Sequence, residues 1–111
     1  MDGTSKKYDQ PQILEAACQA FMQDYKQATL LKYASNLVYD CGAVILRLTH
    51  SKDNSEEGII AELTFMQFML NKGLPVVKPI LSKEGKWTKI IRLESAYLTV
   101  VCFDKIETPT D

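Results

Sequence analysis

The fold is decided by the stretch Val44-Ile45-Leu46-Arg47-Leu48-Thr49, which a short polar connection joins to a helical segment from Glu56 to Asn71. Side chains of a strand alternate between its two faces, so Arg47 shares a face with Ile45 and Thr49 while positions 44, 46 and 48 form the other. Arg47 is thus a charged residue in the middle of an apolar strand. On the helix, apolar residues recur at Ile59, Leu63, Met66 and Leu70, and Glu62 lies at the edge of that stripe.

Arg47 and Glu62 are predicted to pair. A carboxylate at the edge of a core stripe is partly buried, which is unfavourable unless a cation meets it. A guanidinium held by a helix acid keeps other donors in a fixed fork that suits phosphate oxygens. Any domain of helices on a sheet can also supply such a pair for structural reasons alone. From spacing alone the structural interpretation is favoured, and both remain open.

The rest of the chain predicts an α+β fold. Pro11 opens a helix that runs to about Tyr25, and Gly73 with Pro75 ends the helix that begins at Glu56. Extended segments are expected at 28–33, 37–41, 44–49, 76–81, 87–93 and 97–103. The expected architecture is an antiparallel sheet of about five strands, with one helix between strands three and four and an extra N-terminal helix.

Composition narrows the function classes. The chain has 111 residues and a net charge of −1, so it forms one domain and lacks the basic face of a nucleic-acid-binding module. Its three cysteines have no CxxC spacing, so neither a disulfide framework nor a zinc site is indicated. No signal peptide or membrane-length apolar run is present, and a cytoplasmic setting is expected.

Four further segments, in order and with suitable gaps, carry a resemblance to a known family. They are Ser35-Asn36-Leu37-Val38-Tyr39, Ile45 to Ser51, Ala61 to Met66 and Gly73 to Ile80, and a later strand segment, Val100 to Ile106, adds to them. From Leu30 to Ile106 the sequence resembles the small lobe of the aminoglycoside phosphotransferase and choline kinase-like family, which shares its layout with protein kinases. The polar residues 1–10 are expected to be flexible, and the resemblance implies the lobe over 11–106 and the start of an interlobe hinge over 107–111.

The resemblance also implies roles for individual residues. Arg47 stands where the family usually has the lysine that touches the α- and β-phosphates, and Glu62 where the helix acid orients that cation. Ile45 and Val38 would contact the adenine. The loop Ala34, Ser35 and Asn36 would cover the phosphates, and Lys105 with Ile106 would offer a backbone carbonyl and amide to the adenine edge.

Two departures from the family pattern concern the phosphate site. Arginine replaces lysine, and its planar fork binds oxygen differently from a point charge. The phosphate loop contains no glycine, which protein kinases use for close approach.

The functional expectation is a nucleotide-binding lobe of an ATP- or GTP-dependent phosphotransferase that phosphorylates a hydroxyl group of a small molecule with magnesium. The catalytic base and metal ligands of this family lie in a second lobe, which is expected to be missing here, so no catalytic or metal-binding residue is assigned. The chain alone is then inactive, binds nucleotide weakly and can self-associate through its exposed cleft. Aminoglycoside, choline and homoserine all remain possible acceptors.

Two alternatives stand beside this expectation. The chain can be a self-standing, non-enzymatic α+β interaction module in which Arg47 and Glu62 only join helix to sheet. It can also be a pseudokinase-like remnant that binds nucleotide without turnover. A self-standing module should lack large exposed apolar patches, whereas a lobe that normally contacts a second lobe should expose them.

Overall fold

The computed structural model describes residues 11–33 and 36–105. Three sets of predicted features lie outside these residues: the flexible stretch 1–10, Ala34 and Ser35 of the phosphate loop, and Ile106 with the hinge 107–111. Helix α1 spans Pro11–Ala20 and α2 spans Glu56–Asn71. The strands are β1 Thr29–Tyr33, β2 Asn36–Asp40, β3 Val44–His50, β4 Pro79–Ile80, β5 Lys89–Arg92 and β6 Tyr97–Asp104.

The strands form one antiparallel sheet with the order β1-β2-β3-β6-β4, and β5 pairs with the first half of β6. The predicted class and order of elements are confirmed. The sheet has six strands rather than about five, because the extended segment with Pro79 contributes a two-residue strand. Its pairing stays short because proline has no N–H to donate to a ladder.

The first face of the sheet packs against α1. Residues 44, 46 and 48 of β3 are buried there, as their alternation predicts, together with the apolar side of α1. The three cysteines lie in this core, and burial raises the pKa of Cys102 to about 12. Cys102 is therefore an inert core thiol.

The second face of the sheet packs against α2. Ile59 and Leu63 are buried against Val101, and Trp87 and Phe103 pack around them. Met66 and Leu70, also expected in the stripe, are half-buried. Because Arg47 and Ile45 lie on this second face, α2 and the predicted nucleotide site share one side of the sheet.

Both helices end in the same hydrogen-bonded turn, but only one end was predicted. At α2, the amides of Gly73 and Leu74 reach back to Leu70 and Met69 at 2.9 and 3.0 Å, with Gly73 at φ 81° as expected. At α1, the amides of Met22 and Gln23 reach back to Gln19 and Cys18 at 3.2 and 2.8 Å.

The predicted extension of the first helix to about Tyr25 is wrong. Met22 adopts φ 60°, the left-handed conformation that glycine usually supplies, and the helix ends at Ala20. A short 3₁₀ helix at Tyr25–Gln27 then leads into β1. The sequence gives little sign of this, because methionine is an ordinary helix former.

Part of the apolar surface of α2 is uncovered. Phe65 and Phe68 stack with their ring centroids 6.4 Å apart and are 59% and 54% exposed. Among the described residues, no helix has the length and apolar character needed to cross a bilayer.

Candidate functional site

Arg47 lies near the centre of the sheet, where β3 is flanked by β2 and β6. Its register partners are Val38 on β2 and Val101 on β6. Its side chain is only 21% exposed. A guanidinium in such apolar surroundings requires a specific partner, since desolvation of the charge is otherwise costly.

Glu62 on α2 is that partner. Nη1 of Arg47 donates to Oε2 of Glu62 at 3.2 Å, and Nη2 donates to Oε1 at 3.1 Å. The two parallel hydrogen bonds form the fork-on-carboxylate geometry that arginine makes and lysine cannot. The Glu62 side chain is 42% exposed, so the pair opens toward solvent on the helix side.

Phe103 of β6 fixes the guanidinium from a second direction. The Arg47 Cζ atom lies 5.5 Å from the centroid of the Phe103 ring. This cation–π contact and the bidentate pair together set both the position and the plane of the guanidinium. The buried Nε of Arg47 has no hydrogen-bond partner among the described residues.

An apolar cleft of about 490 Å³ opens beside Arg47. That volume is in the range of small-molecule sites. The register of β1 shifts between Leu30 and Lys32, which makes Leu31 the extra residue of a bulge at the cleft edge. The apolar lining comes from four elements and one loop: Leu31, Ile45, Met66, Val77 and Phe103.

An ion pair lies at the far end of the cleft from Arg47. Nζ of Lys105 lies 2.8 Å from Oδ2 of Asp40, and both residues line the cleft. Asp40 also accepts a hydrogen bond from the Gly42 amide at 2.8 Å. The bond from Lys105, and then that from Gly42, lower the pKa of Asp40 below its ordinary 3.8. Asp40 is therefore charged at neutral pH.

A smaller polar cavity of about 210 Å³ lies on the other side of Arg47, next to the start of β2. Oγ1 of Thr49 donates to Oδ1 of Asn36 at 2.7 Å and so holds that amide at the cavity wall. The cavity is lined by Asn36, Arg47, Thr49, Asp53, Asn54 and Glu62. The Arg47–Glu62 pair thus separates an apolar cleft from a polar cavity.

Among the solved structures that this chain resembles are two kinases. An amicoumacin kinase, solved with AMP-PNP, Ca²⁺ and Ami, matches with a TM-score of 0.84 and 28% identity over 89% of this chain and 31% of its own. A microcompartment-associated aminopropanol kinase matches with a TM-score of 0.74 and 17% identity over 87% of this chain and 32% of its own. The described fold is that of a kinase-like small lobe. No family model matches the chain, and no curated protein sequence does either.

The small lobe spans about a third of the length of these two kinases. At 17% identity, the similarity to the aminopropanol kinase supports the fold of this chain and nothing about its function. Within the described part of the lobe, no group of three or more His, Cys, Asp or Glu side chains could hold a metal ion.

The predicted site residues of the small lobe fall into four groups. Ile45, Arg47, Glu62 and Lys105 all line the apolar cleft, and Asn36 lines the polar cavity. Val38 is half-buried on β2, opposite Arg47. Ala34, Ser35 and Ile106 lie outside the described residues. The predicted Arg47–Glu62 contact is present, whereas the nucleotide-binding roles of all these residues remain predictions.

Sequence reasoning missed several lining residues of the lobe, foremost Phe103 and Asp40. Both are register partners of Ile45, one on each neighbouring strand. The correct strand pairing would have placed them on the cleft face. The position of Leu31 at the cleft could not be predicted from strand alternation, because a bulge changes which side chains of β1 face the cleft.

Proposed function

We propose that this chain is the nucleotide-binding lobe of a phosphotransferase that transfers the γ-phosphoryl group of ATP or GTP to a hydroxyl group of a small molecule. The observation that carries the proposal is the bidentate Arg47–Glu62 pair between an apolar cleft and a polar cavity. A nucleotide has a matching division, with an apolar base at one end and anionic phosphates at the other.

The base would occupy the apolar cleft. Ile45 would contact one face of the adenine, with Val38 nearby on β2. The base edge would meet the backbone of Lys105 and Ile106, just before the hinge. The Asp40–Lys105 ion pair at that end holds Lys105 in place and thereby stabilises the chain where the base edge would be bound.

The phosphates would lie at Arg47. Glu62 occupies one N–H of each terminal nitrogen, and each of these nitrogens carries a second N–H. Phosphate oxygens can accept from those donors with charge-assisted hydrogen bonds. The loop of Ala34, Ser35 and Asn36 would add backbone N–H groups, with the side chain of Asn36 already fixed by Thr49.

Magnesium ligands and the catalytic base would come from the remainder of a longer protein. The neighbour solved with AMP-PNP and Ca²⁺ is a kinase three times as long as the matched region, which supports such a division. Phosphoryl transfer needs a carboxylate to receive the substrate proton and groups to hold the metal. The chain alone would then be inactive, with its acceptor chosen by the second lobe and its setting cytoplasmic.

The alternative is a self-standing interaction module in which the ion pair is only structural. The exposed Phe65, Phe68 and Leu31 favour a lobe that contacts further protein, because a free-standing module usually covers such residues. Without a second lobe, the cleft surface would favour self-association. Sedimentation velocity at rising concentration tests this expectation, and a strictly monomeric chain would contradict it.

The experiment that tests the nucleotide site is a calorimetric titration of the chain with magnesium AMP-PNP. Binding is expected to be weak, with a Kd on the order of 1 mM, or about 4 kcal/mol of binding free energy. Arg47→Ala should abolish saturable binding and Arg47→Lys should retain part of it. Arg92→Ala, which changes an exposed arginine of β5, is the matched control. Absence of saturable binding, or equal binding by Arg47→Ala, would overturn the proposal.

A further inference from the structure

The N-terminus of α2 is attached to the sheet by hydrogen bonds that the nucleotide site itself does not use. The Glu56 amide donates to Oη of Tyr97 at 3.0 Å. Oγ1 of Thr88 donates to Oε2 of Glu56 at 2.9 Å. One residue of the helix is therefore held through both its backbone and its side chain, by groups from β6 and from the segment before β5.

Tyr97 is itself held by the loop that leads into α2. Its amide donates to Oγ of Ser51 at 3.2 Å, and the Ser51 amide donates to the Tyr97 carbonyl at 2.9 Å. Thr88 is almost fully buried. It follows Trp87, which packs against the apolar side of α2. These groups thus connect the helix start to the sheet at the beginning of β6 and just before β5.

The apolar contacts of α2 are less able to fix its position. Only Ile59 and Leu63 of the helix are fully buried, and hydrophobic contacts are not directional. A bidentate pair, in contrast, requires both oxygens within hydrogen-bonding distance at once. Glu62 lies six residues beyond Glu56, about 9 Å along the helix axis. A small tilt of α2 about its C-terminal end would therefore separate Glu62 from Arg47.

We propose that Thr88 and Tyr97 are positioning residues that hold α2 through Glu56, so that Glu62 keeps Arg47 paired before a nucleotide arrives. Their role in nucleotide binding rests on the function proposed above, whereas their role in holding the Arg47–Glu62 pair does not. Helix α2 of this lobe would therefore be in place before the nucleotide binds, rather than move into place on binding.

The test measures the coupling between Arg47 and Glu62 by a double-mutant cycle in urea unfolding. The cycle uses Arg47→Met and Glu62→Gln, first in the unchanged chain and then in a Thr88→Val, Tyr97→Phe background. We expect the coupling, expressed as a ratio of unfolding constants, to fall by at least about threefold in that background. A Thr64→Val, Tyr25→Phe background is the matched control, because the Thr64 hydroxyl donates to the Ile60 carbonyl within α2 and Tyr25 packs on the opposite face of the sheet.

A fall in the coupling in the Thr88→Val, Tyr97→Phe background alone would support the positioning role. A loss of stability with unchanged coupling would show that Thr88 and Tyr97 are merely structural and would overturn the proposal. Thr88→Ser keeps the hydroxyl and should preserve the coupling. If the Thr88→Val, Tyr97→Phe chain does not fold, the Arg47–Glu62 coupling is measured in the Thr88→Val and Tyr97→Phe single variants instead.

A second measurement separates this proposal from the proposed function. Magnesium AMP-PNP should bind the Thr88→Val, Tyr97→Phe chain more weakly than the unchanged chain and the control. If the unchanged chain binds no nucleotide, the proposed function fails, and the coupling measurement still decides whether Thr88 and Tyr97 position the pair. If the unchanged chain binds and the double variant binds equally with intact coupling, the positioning role fails alone.

Discussion

Arg47 and Glu62 meet through two parallel hydrogen bonds of 3.2 and 3.1 Å, between the middle of a central strand and a helix on one face of the sheet. The contact joins residues 15 apart in sequence. It places a cation at the boundary of an apolar cleft and a polar cavity.

The pair should appear as a coupling free energy. Arg47→Ala and Glu62→Ala are expected to be non-additive by roughly 1 kcal/mol in urea unfolding. The value is modest because Glu62 is partly exposed, so solvent screens the interaction. Additive losses would contradict the pairing and remove the main support for the nucleotide site.

Thr99 and Thr49 face each other across β3 and β6 but should respond oppositely to the same change. The buried Thr99 hydroxyl has no hydrogen-bond partner among the described residues, whereas that of Thr49 donates to Asn36. Thr99→Val should raise the free energy of unfolding by about 1 kcal/mol, and Thr49→Val should lower it by about 1 kcal/mol. Denaturant midpoints measure both, and a loss with Thr99→Val would reveal a partner for that hydroxyl.

Met22 should be replaceable by glycine with a gain in stability. Its left-handed backbone disfavours any residue with a Cβ, and its side chain is 71% exposed. Met22→Gly should stabilise the chain by about 1 kcal/mol in thermal or denaturant unfolding.

The matched control for Met22→Gly is a substitution of Gly73, which occupies the equivalent position in the turn after α2. Gly73→Ala should destabilise the chain by about 1 kcal/mol. A methyl group there meets no neighbouring atom, so backbone strain alone is measured. Loss of stability with Met22→Gly would show that the methionine side chain matters more than its backbone conformation.

The Asp40–Lys105 ion pair should contribute to stability in a pH-dependent way. The pKa of Asp40 is lowered in the folded chain, so its contribution is present above the ordinary value of 3.8 and is lost as the pH falls through the lower folded value. The stability difference between the unchanged chain and Asp40→Asn should therefore shrink between pH 5 and strongly acidic solution. Urea unfolding at several pH values measures it.

Lys105→Met provides the companion test for this ion pair. It removes the main cause of the lowered pKa, and its effect should shrink over the same acidic range. A difference between Asp40→Asn and the unchanged chain that stays constant with pH would contradict the pairing.

Local pattern was sufficient to predict much of this fold. The alternation along β3 placed Arg47 on the face opposite the main core, and the helical period of α2 brought Glu62 toward it. The start of α2 at Glu56 and its stop at Gly73 were also predicted correctly. These features depend on near neighbours in sequence, where backbone geometry leaves few choices.

The remaining features depended on contacts between distant segments. Phe103 stacks on Arg47 and Lys105 pairs with Asp40 only because β6 lies beside β3, a pairing that no local pattern specifies. The attachment of α2 by Thr88 and Tyr97 has the same origin.

The sequence by itself therefore determined the elements and the two charged residues of the site. The tertiary structure decided how the guanidinium is oriented, which side chains enclose the cleft and what holds the helix in place. The physical reason is that strand pairing over long separations is set by the packing of the whole sheet, whereas helix and strand periodicity is set residue by residue.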